Sequence, residues 1–394
     1  MDEMTSNIVE VQHSIYLDNA STTKPFRFVM DAVNEAAYEQ YGNPSSLHEM
    51  GRKTKTAVEK ARKTIADFIG AKPSEIYFTA GGSESDNMAL RGIAPHLKEI
   101  GNTIIITSEI EHHAILNTCH DLEKDGFSVI YMPVDEDGRV DIEELHRVME
   151  KYKGKVGLVS IMAVNNEIGS IQLIEDIGDL CQEYETIFMT DAVQAYGHIP
   201  LDVNANHIDL LSVSGHKVHA LKGVGFLYIR DGIPMKSMIT GGGQEKGLRA
   251  GTENVFGIIS LANATAAIAN EMDGNWDYFK NLREIFLEEL DRRGVEYRVN
   301  TDNGVPHIIS LTLPGCESEA MLLLLNQKQV YVSAGSACTA GSLEPSHVLM
   351  ALGISEQDAS CTIRISMGFT NSAFEMTLAA DAIAECVKQL KAMV

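Results

Sequence analysis

The sequence predicts an α/β fold: a large domain with a mostly parallel seven-stranded sheet between helices, plus a smaller α+β C-terminal domain. Three observations carry this. Between residues 76 and 229, short runs that are apolar nearly throughout alternate with stretches of helical periodicity, the pattern of strands covered on both faces. After about residue 258 long helices with few strands take over. A chain of 394 residues with 44% hydrophobic content has core enough for two such units.

Residues 1–15 read as a flexible leader, 16–258 as the large domain, its first residues packing with the small one, and 259–394 as the small domain. Tyr16-Leu17-Asp18-Asn19-Ala20-Ser21-Thr22-Thr23 is a short apolar start followed by capping and turn residues, and Tyr41 to Ser46 is loop chemistry. From Arg52 to Ile69 the residues Ala57, Val58, Ala61, Ile65 and Phe68 recur at helical spacing, and Gly70 stops that helix. Strands are then expected at 76–79, 103–107, 128–132, 156–163, 186–190, 208–213 and 226–229, with helices at 83–97, 113–124, 142–152 and 174–183 between them. In the second unit helices are expected at 258–271, 276–293, 317–326 and 373–393, and strands at 307–313, 331–333 and 362–366.

The formal net charge of -23 argues against nonspecific nucleic-acid binding, which needs clustered Lys and Arg. No apolar run approaches the ~20 residues of a membrane span, and the acidic start has neither the apolar core of a signal peptide nor the arginines of a transit peptide. A cytoplasmic protein is expected. The six cysteines, at 119, 181, 316, 338, 361 and 386, show no C-x-x-C spacing. Most are expected to be buried free thiols.

A parallel sheet of this kind binds ligands at the carboxyl ends of its strands, and the polar clusters fall there. Ser214-Gly215-His216-Lys217 follows an apolar strand. A lysine so placed suits Schiff-base chemistry with an aldehyde such as pyridoxal phosphate, with Ser214 and His216 as phosphate donors; the plain alternative is a solvated lysine in a surface turn. Thr79-Ala80-Gly81-Gly82-Ser83-Glu84-Ser85 joins a strand to a helix and could hold an anion at the helix start, although such turns are common. Asp191, in Thr190-Asp191-Ala192-Val193-Gln194, ends a strand and would suit a protonated pyridine nitrogen, or merely cap a helix.

Glu111-His112-His113 offers an imidazole that could stack on an aromatic cofactor, or a metal site with Cys119 and His120, for which the spacing is wrong. Val164-Asn165-Asn166-Glu167-Ile168-Gly169 could cap a turn, or bond a ring oxygen or a substrate carboxylate. Gly241-Gly242-Gly243-Gln244 with Arg249-Ala250-Gly251-Thr252 reads on its own as a surface loop. Gly335-Ser336-Ala337-Cys338-Thr339-Ala340-Gly341-Ser342 is too rich in small residues to be core, and its thiol suits a nucleophile that swings into and out of a site. Arg364, inside a strand, needs a carboxylate partner: a substrate's or an acidic side chain's.

These motifs, with Y-L-D-N-A-S-T, Y-G-N-P-S-S-L-H and R-I-S-M-G, stand in the order in which they occur in the cysteine desulfurases, and over residues 16–390 the chain resembles that family. G-S-A-C-T followed by S-L-E-P-S-H is similar to the subgroup with a long, mobile cysteine loop. The resemblance implies a class V aminotransferase of the fold-type I architecture with pyridoxal phosphate as cofactor. It implies that Lys217 carries the cofactor as a Schiff base, that Asp191 pairs with the ring nitrogen and that His112 stacks on the ring and moves protons. Gln194 and Asn166 would contact the ring hydroxyl, and Gly82, Ser83, Ser214, Gly215 and His216 would hold the phosphate. Thr252 would reach the phosphate of a second subunit in a homodimer. Arg364 with Asn166 would bind the carboxylate of L-cysteine, and Cys338 would take its sulfur and pass the persulfide to an acceptor protein for iron–sulfur clusters or for thiolation of tRNA or cofactors. No resident metal is implied; Cys338 would at most touch iron–sulfur cargo in transfer.

Departures from the family pattern include Ser83 for threonine, Ala220-Leu221 for Gly-Pro and Lys246 for arginine. The rival readings are an aminotransferase or selenocysteine lyase on the same scaffold, and a non-catalytic sulfur-transfer scaffold.

Overall fold

A computed structural model describes residues 14–334 and 345–393. The large sheet comprises β2 (Ile76–Thr79), β3 (Ile104–Ser108), β4 (Ser128–Met132), β5 (Val156–Ser160), β6 (Ile187–Asp191), β7 (Leu210–Ser214) and β8 (Gly225–Ile229), in the order β2-β8-β7-β6-β5-β3-β4. Only β8 runs against its neighbours, so the sheet is mostly parallel, as expected. Helices α2 (Glu49–Phe68), α5 (Ile142–Lys151), α6 (Ile174–Glu183) and α7 (Val255–Ala269) pack on one face, with Ile65, Leu145, Ile177 and Leu261 in a single core. Helices α3 (Gly82–Ile100) and α4 (His113–Lys124) cover the other, with Leu90, Ile93 and Ile115 against Ile105, Leu158 and Met189. Apart from the edge strand β4, which is only partly buried, the strands are covered from both sides, each fully buried large apolar side chain stabilising by about 1.5–3 kcal/mol, which is why they carry no polar alternation.

The second unit has its own core. Strands β9 (Arg298–Val299), β10 (Ile308–Thr312), β12 (Ser333–Ala334) and β13 (Thr362–Ser366) form an antiparallel sheet in the order β12-β13-β10-β9. Helices α8 (Met272–Arg292), α9 (Ser318–Gln327) and α12 (Ala373–Lys391) set Phe286, Leu325 and Ile383 against Ile309 and Ile363. Two short helices, α10 (His347–Ala351) and α11 (Glu356–Ser360), precede β13.

The N-terminal segment belongs to this second core. Strand β1 (Ile15–Tyr16) pairs in parallel with β11 (Val330–Tyr331), and Ile15 and Leu17 are buried among the residues of α8 and β10. The amide of Ser366 donates to the Leu17 carbonyl at 2.7 Å, and that of Asn19 to Ser366 at 3.1 Å. Residues 18–21 are thereby fastened to β13.

Three details differ from expectation. Helix α1 (Arg27–Glu39) is not foreseen: it has no side-chain N-cap, and its buried stripe is only Val29, Val33 and Ala36. The expected strand at 331–333 is two strands in different sheets, with Val332 between Tyr331, which pairs with Tyr16, and Ser333, which pairs with Arg364. Strand β5 ends at Ser160, not Ala163, although the amides of Ile161 and Ala163 still donate to the carbonyls of Met189 and Asp191; beyond them the chain turns back, the Asn165 amide donating to Ser170. Among the described residues, no single helix is long and apolar enough to cross a membrane.

Candidate active site

Five strand ends converge on a cavity of about 400 Å³. Strand β2 delivers Gly82 and Ser83, β3 delivers His112, β5 delivers Asn166, β6 ends on Asp191, and β7 ends on Ser214 and leads to Lys217. Arg364 enters from β13, and Ala20 and Ser21 from the N-terminal segment. The expected Lys217, His112, Gly82, Ser83, Asn166, Asp191, Gln194, Ser214, His216 and Arg364 all line this one space. Gly215 is buried behind it, in the single turn Gly215–Lys217. Thr252 is exposed and does not line the cavity of its own chain. Cys338 lies outside the described residues.

The Lys217 ammonium is 2.5 Å from the carbonyl of Ala20 and 2.8 Å from that of Ser21. Gln194 Nε2 donates to the same Ala20 carbonyl at 2.9 Å. Asp191 is buried and accepts from the amide of Val193 at 2.9 Å. Burial raises its pKa to about 6, against the lowering effect of that amide and of Lys217. A carboxylate kept from water in this way gains from a cation placed beside it.

His112 caps α4, its Nδ1 accepting from the amide of Ala114 at 3.1 Å. Burial, with Lys217 and His113 nearby, lowers its pKa to about 4. The ring is therefore neutral at pH 7, with its proton on Nε2. His216 is likewise neutral, its pKa lowered to about 4 by burial and by Lys217 and Lys222. The first turn of α3 starts at Gly82, where a Cβ would come within 2.7 Å of Val193 Cγ2, so the helix start reaches this depth only as glycine. Its free N–H groups make the cavity wall attractive to an anion.

Arg364 is 2% exposed. Its Nη2 donates to Asp18 Oδ1 at 3.0 Å and to Ser21 Oγ at 2.6 Å, and its Nη1 to the Asn166 carbonyl at 2.7 Å. Its Nε is buried without an acceptor. An acidic side chain thus partners this arginine, yet two of its five N–H groups stay available.

Several groups here were not singled out from the sequence. Asp86, one turn into α3, lines the cavity, as do Glu167 and His347. The hydroxyl of Ser346 donates to Glu167 Oε2 at 2.5 Å and caps α10, and His347 Nε2 lies 3.0 Å from the carbonyl of Glu111. These contacts tie the segment after residue 344 to the cavity wall. Motif spacing could have pointed to Asp86, four residues after Gly82, but not to the others. Glu111, His112, His113, Cys119 and His120 do not converge: Glu111 is buried against Ser108 and Met162, while His120 contacts Tyr131 and Glu123 at the surface. Among the described residues no group of three such side chains could hold a metal ion.

Residues 15–377 match the family model described as aminotransferase class-V. The chain is 45% identical over 379 residues to a Bacillus subtilis protein named putative cysteine desulfurase IscS 1, covering 95% of this chain and 99% of that one. It is 42% identical over 392 residues to the cysteine desulfurase IscS of Methanosarcina thermophila, covering 98% and 95%. Among solved structures it is similar to one described as a NifS-like protein, with a TM-score of 0.89 and 36% identity over 96% of this chain and all of that one. It also resembles SspA in complex with cysteine, with a TM-score of 0.79 and 36% identity over 90% and 99%.

Proposed function

The chain belongs to the class V aminotransferase family, whose members depend on pyridoxal phosphate, and we propose that it is an L-cysteine desulfurase that binds this cofactor at the strand ends. The observation that carries the reading is the single cavity in which Lys217, Asp191 and His112 stand beside the start of α3. The donor set fits the cofactor: an amine for its aldehyde, a buried carboxylate short of a cation for its ring nitrogen, and a helix start with two neighbouring donors, Ser214 and His216, for its phosphate.

When bound, pyridoxal phosphate supplies an electron sink for carbanion chemistry on the substrate. The protein supplies the rest. Asp191 would hold the ring nitrogen in its protonated form. The neutral His112, oriented by the Ala114 amide, would pack on the ring and exchange a proton at Nε2. Gln194 and Asn166 would bond the ring hydroxyl, and Gly82, Ser83, Ser214, Gly215 and His216 would hold the phosphate. Lys217, whose Nζ lies against the carbonyls of Ala20 and Ser21, would be the amine that holds the cofactor's aldehyde and would move protons at that Nζ. Arg364, with Asn166, fixes the substrate carboxylate through the N–H groups that Asp18 leaves free.

The Cys338 thiolate would attack the substrate sulfur: a sulfur–sulfur bond forms as the carbon–sulfur bond breaks, the electron pair of that bond stays with the substrate carbon, which takes up the proton that the Cys338 thiol gave up, and alanine leaves. The persulfide on Cys338 passes to an acceptor protein, for iron–sulfur clusters or for thiolation. A net charge of -23 favours an acceptor with a basic face. The reading includes a cytoplasmic homodimer in which the exposed Thr252 completes the phosphate site of the second subunit.

The test is incubation with L-cysteine and pyridoxal phosphate, with alanine and sulfide measured. Cys338→Ser is expected to keep the cofactor's visible absorption and to lose sulfide release. Unchanged turnover in that variant would sink the reading.

A further inference from the structure

The loop between β8 and α7 is tied down more firmly than a connection requires. Strand β2 is an edge of the large sheet, and side chains, not a further strand, meet its outer polar groups. The Phe78 amide donates to Glu245 Oε2 at 2.9 Å, and the Ile76 carbonyl accepts from Arg62 Nη1 at 2.7 Å. Arg62, on α2, and Glu245, in the loop, are both buried and form a two-pronged pair, Nη1 to Oε2 and Nη2 to Oε1, each at 2.8 Å. A second tie stands nearer the cavity. Arg249 Nε donates to Glu84 Oε1 at 2.8 Å, and Glu84, in the first turn of α3, accepts from the Ala80 amide at 3.2 Å.

The backbone between these ties is strained. Glu245 and Lys246 have φ of 44° and 56°, followed by Gly247 at 83°. Two successive non-glycine residues in the left-handed region persist only where their surroundings fix them, and such positions gather at functional sites. Here Arg62 and β2 fix Glu245, while Lys246 is fixed by its bond to the Ser74 carbonyl and by the Tyr77 ring 4.7 Å away. Beyond the turn, Gly251 and Thr252 are exposed, and Glu253 Oε2 is buried with no hydrogen-bond partner among the described residues. In a single chain the loop is thus fastened at its base, bare at Thr252 and unsatisfied beside it.

We propose that Arg62 and Glu245 are positioning residues for the site of a second copy of the chain: the buried pair locks the left-handed turn onto the edge of β2 and so presents Thr252 outward, to the cofactor phosphate held by the other copy. This rests on the reading of Thr252 as a phosphate donor across a homodimer. A pair with this role acts away from its own cavity, which separates it from a pair that only stabilises the fold. Replacing a buried ion pair by apolar side chains of similar size often leaves stability little changed, so its removal can be tested in a folded protein.

The experiment uses mixed dimers purified through two different affinity tags. One copy carries Lys217→Ala, so the visible band of cofactor joined to Lys217 reports the site of the other copy alone. Arg62→Met with Glu245→Met is placed on one copy at a time, and cofactor affinity is titrated from that band. On the Lys217→Ala copy the double change is expected to weaken binding at the intact site about tenfold, the order of one lost hydrogen bond to a charged group. On the copy that keeps Lys217, affinity is expected to stay within about twofold. Glu245→Gln, which keeps the side-chain volume, serves if the double variant does not fold, with a loss in the same arrangement only. No loss in either arrangement, or a loss equal in both or confined to the copy that bears the change, overturns the proposal. Thr252→Ala, placed in the same two ways, tests the reading beneath it. No loss in either arrangement refutes that reading, whereas a loss across the dimer with Thr252→Ala and none with the double variant overturns the proposal alone.

Discussion

Arg364 donates from Nη2 to Asp18 Oδ1 at 3.0 Å, joining the edge of the second core to the segment that holds Lys217. The sequence left open whether this arginine serves a substrate or an acidic side chain, and the geometry allows both. Arg364→Ala is expected to lower kcat/KM for L-cysteine by about 10- to 100-fold, mainly through KM, the worth of a hydrogen bond to a charged group (about 1.5–3 kcal/mol). Asp18→Ala keeps the guanidinium in place through Ser21 and Asn166 and is expected to raise KM less. Equal effects on KM would mean that the pair is only structural. Steady-state kinetics of the two variants decides it.

The strand ends were readable because a sheet buried on both faces leaves polar residues nowhere else to go, so Asp191 and Lys217 stand out against apolar runs. The segment 15–21 was harder. Its first residues look like any short apolar start, and only the tertiary pairing of Tyr16 with Tyr331 and of Asp18 with Ser366 shows that it carries Ala20 and Ser21 into the cavity. Asp86 was hidden for another reason. On the sequence it is one polar residue in the first turns of an amphipathic helix, and its hydrogen-bond partner, Ser212, stands 126 positions away.

Glu111 makes the protein more sensitive to alkali. Its Oε1 accepts from Ser108 Oγ at 2.6 Å and from the amide of Met162 at 2.9 Å, while Oε2 is buried without a partner. Burial raises its pKa to about 8. The folded state therefore holds this proton more tightly than the unfolded chain does. Stability from this group is complete below the ordinary carboxyl pKa of about 4.3 and is lost as pH rises through about 8, at a slope of up to about 1.4 kcal/mol per pH unit. Glu167, raised to about 7, acts in the same direction. Urea unfolding between pH 5 and 9 is expected to show the decline, and Glu111→Gln to flatten it. A variant with the slope of the parent would show that Glu111 is already ionised when folded.

The opposite sensitivity follows from His198 and His307, whose rings stack 4.0 Å apart with an angle of 22° between them. His307 is buried and His198 half-buried, and His198 Nδ1 and His307 Nε2 have no partner. Phe279 and Phe369 close the cluster. Burial, with His219 nearby, lowers the pKa of His198 to about 3, and burial, with His198 against it, holds that of His307 well below its usual value. The unfolded chain takes up these two protons near pH 6.5 and the folded one does not, so stability falls as pH drops below about 6.5. His307→Phe keeps a stacking ring and removes one of the two acid-sensitive groups. The variant is expected to gain on the parent by up to about 1.4 kcal/mol per pH unit as pH falls from 6.5 to 5, read from urea midpoints. A difference that does not change with pH would mean that His307 is protonated in the folded protein, and the stack would then have to be held by a counter-charge that the buried cluster does not contain among its described residues.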